Sequence, residues 1–343
     1  MSENVEQKLD PTGSVVMPAM QIPSFRTSLA LQNKTEKNLL LRTWGGIGDQ
    51  ICAEPTLRFA LKSFGADCKI SLVTEYLELF AHLKFNDVFH ITRQKPKYED
   101  YFVFDTIVPA TNNLTWEFFS HCITNCVDFA SLCAFRCQLP VRDREIFLCP
   151  PTPNDTVKEF LTIENTVFVH PGKHWPSKTF PKDWWDGVLA ALLNKNLKPI
   201  LIGANTDDNR GTVDVNADGC IDLRNKLSLE ESIWLLQRSK VLLTNDSSPL
   251  HMAASRDPND GATGRNWIGY IATCKHPDYI SHWRQGEWNY REENLGLGGI
   301  WNDLDHLPNK KTEVTVEHVE EARLRSWLPS PDGVSDWVIK RMV

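Results

Sequence analysis

Short apolar runs limit what this chain can fold into. N-L-L-L-R-T (38–43), C-K-I-S-L-V-T (68–74), D-V-F-H-I (87–91) and Y-F-V-F-D-T-I-V (101–108) each read as a strand. So do T-V-F-V-H (166–170), K-P-I-L-I-G (198–203), K-V-L-L-T (240–244) and W-I-G-Y-I-A (267–272). Several are apolar at consecutive positions, the mark of strands buried on both faces. Between them the spacing turns helical. Ile51, Leu57, Leu61 and Phe64 line one side of a helix over about 49–64, and 75–83, 183–194 and 228–237 read as further helices. Ser228 and Glu231 form a capping box at the start of the last. Strands alternating with helices imply parallel sheets covered on both faces.

The rhythm runs twice, and P-P-T-P-N-D (150–155) divides the two runs. A chain of 343 residues has room for two domains. The expected architecture is therefore α/β, with two Rossmann-like domains facing across a cleft. Residues 1–37 lack periodicity and read as an extension. Residues 38–150 form one domain and 151–331 the other. A C-terminal helix over about 332–343 is expected to pack back on the first.

A net charge of −7 gives no support to a wholly basic nucleic-acid surface. No apolar stretch approaches membrane-spanning length. The opening M-S-E-N-V-E-Q-K-L-D is acidic and lacks an apolar secretion core, so a cytoplasmic location is expected. The nine cysteines, an odd number, read as reduced thiols. Cys122, Cys126, Cys133 and Cys137 fall on one face of a helix expected over 116–137. The outer two would stand roughly 22 Å apart, too far for one tetrahedral metal.

Ligands of open parallel sheets bind beyond the carboxyl ends of the strands. Four groups fall there. They are Trp44-Gly45-Gly46-Ile47-Gly48-Asp49, then His170-Pro171-Gly172 with S-K-T-F-P-K-D-W-W (177–185), then Gly203 to Asp207, and last T-N-D-S-S-P-L-H-M-A-A (244–254). In the last, an apolar strand hands over to a helix. Asp246 or Ser247 suits its cap and Pro249 its first turn. The same N–H groups can hold a phosphate.

In this order the four groups resemble glycosyltransferase family 9, the heptosyltransferases, over most of 38–283. G-G-I-G-D-Q with Pro55 is similar to that family's N-terminal signature. K-T-F-P-K-D-W-W resembles its Lys-(Arg)-Trp-Pro…Trp signature, and D-S-S-P-L-H-M-A-A its Asp-Ser-Gly-Pro-x-His-x-Ala-Ala motif. The resemblance implies a GT-B fold, with the donor held mainly by the second domain and the acceptor by the first. It implies that Asp49 is the general base and that Lys178 meets the donor diphosphate, with Lys173 a rival for that role. Asp207 would contact the ribose. Asp246, Ser247, Ser248 and His251 would wrap the diphosphate, and Gly46, Gly48, His170, Gly172 and Gly203 would complete the donor site. The implied reaction is inverting transfer from an ADP-heptose-like nucleotide sugar to a glycan such as a lipopolysaccharide core. It needs no metal and no cofactor beyond that co-substrate.

The chain departs from the family pattern at Ser248, where glycine is usual, in a long link over 256–266, and in its N-terminal extension. Three other functions compete. A hydroxymethylated base of viral DNA is an alternative acceptor, with R-Q-K-P-K (93–97) and Lys310-Lys311 the compact basic clusters. A non-catalytic nucleotide-sugar binder would carry an inert Asp49. An NAD-type oxidoreductase would use G-G-I-G with Glu75 on the ribose, but Ile51 stands where the third glycine is required. The aromatic run 276–290 with Trp301 suits either stacking or edge packing. D-V-N-A-D-G (214–219) reads as a turn, because Asn225 replaces the calcium-binding Glu of the twelfth position. D-L-D (303–305) lies too far along the chain from the phosphate motifs to serve them.

Overall fold

The computed structural model describes residues 38–93, 96–106, 133, 145–173, 178–204, 211–264, 266–271, 291–294, 324–325 and 328–342. The expected helix over 116–137 lies outside these except for Cys133, which is buried. The extension, Asp207, the aromatic run 276–290, Trp301 and residues 303–305 also lie outside them.

In the first half, β1 (Asn38–Arg42), β2 (Lys69–Thr74), β3 (Val88–His90) and β4 (Phe102–Asp105) form a parallel sheet in the order β3–β2–β1–β4. The helix α1 (Ile47–Phe64) follows β1 and carries Pro55 in its interior. The helix expected over 75–83 is reduced to a 3₁₀ turn, Leu77–Phe80. Only Leu79 and Phe80 of that turn are buried, so tertiary packing holds a single turn there and no longer helix.

The second half contains α2 (Asp155–Glu159), β5 (Thr166–His170), β6 (Gly172–Lys173), α3 (Lys182–Asn194), β7 (Lys198–Leu201), β8 (Gly211–Thr212), β9 (Ile221–Asp222), α4 (Leu229–Arg238), β10 (Val241–Asn245), α5 (Ser248–Ala254), β11 (Trp267–Ile271), β12 (Arg291–Asn294) and α6 (Pro331–Met342). Its six-stranded parallel sheet runs β12–β11–β10–β5–β7–β9, beside a short antiparallel β6–β8 pair. Ser228 caps α4 with the expected reciprocal bonds to Glu231, at 2.8 and 3.1 Å. Residues 214–219 end in a turn in which Asn216 accepts from the Asp218 N–H at 3.0 Å.

Both faces of the second sheet are covered, as its apolar strands require. Phe168, Ile200 and Leu242 face one core, whereas Val167, Leu201, Val241 and Leu243 face another. The second core corrects one expectation. Val334, Trp337 and Val338 of α6 pack there with Trp185, Val188, Leu189 and Leu192 of α3, so the C-terminal helix covers the second half and not the first. Trp184 anchors the approach by donating to the Pro329 carbonyl at 2.8 Å. The apolar face of α3 would otherwise lie open, and burying it outweighs a return to the distant first sheet. No helix among the described residues is long and apolar enough to cross a membrane.

Candidate active site

The second half contributes a buried polar cluster at the carboxyl ends of β5 and β10. Asn245, the last residue of β10, donates through Nδ2 to the Lys178 carbonyl at 2.7 Å. Its Oδ1 accepts from the Ser247 hydroxyl at 2.6 Å. That hydroxyl also lies 3.2 Å from Nδ1 of His170, and the Thr244 hydroxyl lies 3.3 Å from the same nitrogen. Burial pushes the His170 imidazole down to about 4, with its contact to Asn245 partly opposing the shift, so the ring is neutral at pH 7. Lys178 and Asp246 form an ion pair at 2.5 Å, both side chains buried. The expected capping roles are thus not taken. Ser247 occupies the cap position of α5 without a side-chain cap bond, and Asp246 faces Lys178.

Two glycines in this cluster have packing reasons. A Cβ on Gly172 would lie 2.3 Å from Asn245 Oδ1 and 2.7 Å from His170 Cε1. One on Gly203 would lie 2.4 Å from Thr212 Cγ2 and 3.0 Å from His170 Cδ2, and its φ of +126° is one that side chains rarely adopt. These glycines make room for the imidazole. Lys173 stands apart, lining a cavity of about 530 Å³ with Thr179, Phe180, Lys182, Asp214 and Arg325, a lining that does not include Lys178.

The first half contributes the turn between β1 and α1. Gln50, fully buried, accepts from the hydroxyls of Thr43 at 2.9 Å and Thr74 at 2.6 Å, and donates to the Gly45 carbonyl at 3.2 Å. Those bonds tie the turn to two strands. Asp49 Oδ2 accepts from the Gly46 N–H at 2.9 Å, so the carboxylate also closes the start of α1. Gly45 has φ +90°, and a Cβ there would meet that Oδ2 at 2.5 Å.

At Gly48 the two halves meet. A Cβ there would lie 3.1 Å from His251 Cδ2 and 3.4 Å from Ser248 Cα. His251 is buried, with its Nδ1 3.6 Å from the Cys52 thiol. The start of α1 therefore abuts the start of α5, and Asp49 and Ser247 flank one junction. His251, expected to wrap a diphosphate, takes part in that contact.

Behind the junction a charged chain links the halves, and the motifs gave no sign of it. Glu54 of α1 is fully buried and binds Arg58 at 2.8 Å and the Phe147 N–H at 3.0 Å. Arg58 donates to the Glu145 carbonyl at 2.6 Å and lies over the Phe147 ring. Glu145 in turn pairs with Arg256 at 2.8 Å. Glu and Arg four apart on a helix were the available signal, but nothing in the sequence placed 145–148 beside them. The link over 256–266 is a compact turn pinned by Arg238, which pairs with Asp260 at 2.8 Å.

Residues 114–259 match the sequence model of glycosyltransferase family 9 (heptosyltransferase). No curated protein matches the chain. Solved structures similar to it include a glycosyl transferase family 9 protein from Veillonella parvula, 14% identical, with a TM-score of 0.55 over 89% of this chain and 97% of that one. Another is the dodecameric iron-containing heptosyltransferase TibC in complex with ADP-D-β-D-heptose, 15% identical, with a TM-score of 0.59 over 91% of this chain and 78% of that one. TibC from enterotoxigenic E. coli also matches on its own, 16% identical, with a TM-score of 0.57 over 90% of this chain and 77% of that one. Among the described residues no three or more His, Cys, Asp or Glu side chains gather as a metal-binding group. Motifs, segment match and fold agree: this chain is a glycosyltransferase of the GT-B fold, similar to family 9, the heptosyltransferases.

Proposed function

We propose that the chain moves a sugar from a nucleotide diphosphate sugar, ADP-heptose-like, to the hydroxyl of a glycan, with inversion at the anomeric carbon. The observation that carries this reading is the junction itself. A half-buried carboxylate, Asp49, stands on one side, and Lys178, Asp246 and Ser247 stand on the other. The TibC complex, with ADP-heptose on a similar fold, supports the choice of donor.

In the proposed step the acceptor oxygen attacks the anomeric carbon while its proton passes to Asp49. The bond from that carbon to the diphosphate oxygen breaks, and the electron pair leaves with the nucleoside diphosphate. Lys178 stabilises the charge that develops there, joined by the Ser247 hydroxyl once it turns its proton from Asn245 Oδ1 to the leaving oxygen. His170 stays neutral and holds Ser247 in place.

One observation favours a second reading, a binder without catalysis. Asp49 already accepts from Gly46, which is the behaviour of a helix cap. The two roles are compatible, because a carboxylate has two oxygens and the cap uses Oδ2. Asp49→Asn separates them. It preserves shape and much of the capping ability. As a base, Asp49 gives a variant that binds ADP normally but turns over about 10²–10⁴-fold more slowly. Wild-type turnover would assign Asp49 to the cap alone. Among the described residues nothing favours DNA as acceptor.

A further inference from the structure

We propose that Trp44 is the acceptor platform of this enzyme, its half-buried indole stacking against the apolar face of a neutral sugar ring beside Asp49. The inference rests on the glycosyltransferase reading and adds the class of acceptor.

Trp44 sits where β1 gives way to α1, five residues before Asp49. Its indole is half-buried, and its neighbours are spent on aiming it. The ring N–H donates to Asp105 Oδ1 at 3.0 Å. Asp105 is itself held by Arg42 through two bonds, at 2.6 and 2.7 Å. Arg42 and Asp105 stand opposite each other in the β1–β4 register, so two strand ends fix the indole rather than a loop. The guanidinium lies 5.4 Å from the Trp44 ring centre and 5.4 Å from that of Tyr98. A ring held this firmly loses little freedom on binding, which favours affinity. The next residues, Gly45 and Gly46, are exposed and carry no side chains, and the Asp49 carboxylate lies against them. Three residues further on, Gly48 is already packed against the second half. Trp44 therefore lies at the rim of the junction.

Charge sets the ligand class. Arg42 is engaged with Asp105, and the pair carries no net charge. A phosphate arriving here would find the guanidinium already bridged to a carboxylate. The polar edge of the indole is likewise occupied by Asp105 and one π face lies under Arg42, so the ligand surface is the opposite π face. Aromatic faces suit the C–H side of a pyranose, and its hydroxyls can then point towards Asp49.

The test uses the full chain labelled with 5-fluorotryptophan, with the Trp44 ¹⁹F signal assigned by its loss in Trp44→Phe. Probes are neutral methyl pyranosides, inorganic phosphate and a serine-containing peptide, each with and without ADP. The expected result is a Trp44 signal that shifts with a methyl pyranoside and with neither other probe. Trp44→Ala should weaken pyranoside binding by about fivefold to tenfold, the worth of one aromatic contact. Trp44→Phe, which keeps a stacking face and covers failure of the alanine variant to fold, should lose less. A signal unmoved by every pyranoside, or moved by phosphate or peptide instead, overturns the proposal. The rise in melting temperature with ADP tests the donor site separately. If ADP stabilises wild type and Trp44→Ala alike while the signal stays still, the platform fails and the donor reading stands. If the signal moves with pyranoside but ADP stabilises neither protein, the platform stands and the donor reading fails.

Discussion

Lys178 and Asp246 are buried together, so removing one strands the other's charge in a medium that cannot solvate it. Such a loss typically costs about 3–5 kcal/mol. Lys178→Met should therefore lower stability as well as donor affinity, and the single variant confounds the two. Lys178→Met combined with Asp246→Asn should recover much of the stability, read as a denaturation midpoint, without recovering ADP binding. Recovery of both would remove Lys178 from the donor site. His170 makes a separate prediction about pH. Folding holds it near 4, against 6.5 when exposed. Above pH 6.5 the ring is neutral in both states and costs nothing. Below 6.5 the unfolded chain takes up a proton that the folded chain refuses, so stability falls as pH drops from 6.5 towards 4. The full loss is roughly 3 kcal/mol. His170→Asn should show a shallower decline over that window in urea unfolding, and an unchanged slope would argue against a buried neutral imidazole. At this scale the motifs read well for residue types and less well for partners. Asp49, Lys178, Asp246 and Ser247 stand out in the motifs by residue type, and their joint role is the proposal made above. That Asp246 would pair with Lys178, or that Asn245 would tie Ser247 to the 178 carbonyl, depends on adjacency of β5, β10 and the following loops. No local spacing encodes that.

The elements themselves were largely written in apolar runs and caps. β1, β2, β5, β10 and β11 fall where those runs predict, and α4 starts at its capping box. The errors arose where tertiary contact decides. The 75–83 segment had apolar residues, but packing buries only Leu79 and Phe80 of its turn. For α6 the sequence shows an apolar face but not which surface covers it, and the uncovered side of α3 supplied the answer. Gly172 and Gly203, read from the sequence as ligand-binding positions, also have a packing reason, because their neighbours leave no room for a Cβ. Gly172→Ala should cost about 1–3 kcal/mol of stability, since its Cβ would press on Asn245 and His170. Gly48→Ala should cost less, because its closest approach is 3.1 Å to one side chain. A ranking of thermal melts that places Gly48→Ala below Gly172→Ala would refute this packing account.

The whole molecule is less divisible than two strand–helix halves suggest. One apolar core runs from Leu39, Ile51 and Leu72 through Ile146 and Leu148 to Phe168, Leu242 and Leu250. The Glu54–Arg58–Glu145–Arg256 chain follows the same path. Heating should thus give a single cooperative transition, with calorimetric and van't Hoff enthalpies in agreement. Two resolved transitions would mean that the halves fold separately. The twofold rhythm of the sequence could not reveal this, because a core that crosses between repeats leaves no periodic trace. A practical rule follows for recombining this protein with its relatives to change acceptor. The segment 146–148, which forms an isolated β-bridge to Arg256, belongs to both halves at once, being bound to α1 on one side and to Arg256 on the other. A crossover placed upstream of Glu145 would give each parent one side of that seam and leave a buried carboxylate facing a foreign partner. A crossover between Pro150 and Asn154 keeps Glu54, Arg58 and Glu145 from one parent, and it transplants cleanly only where the other parent supplies an arginine at the position of Arg256.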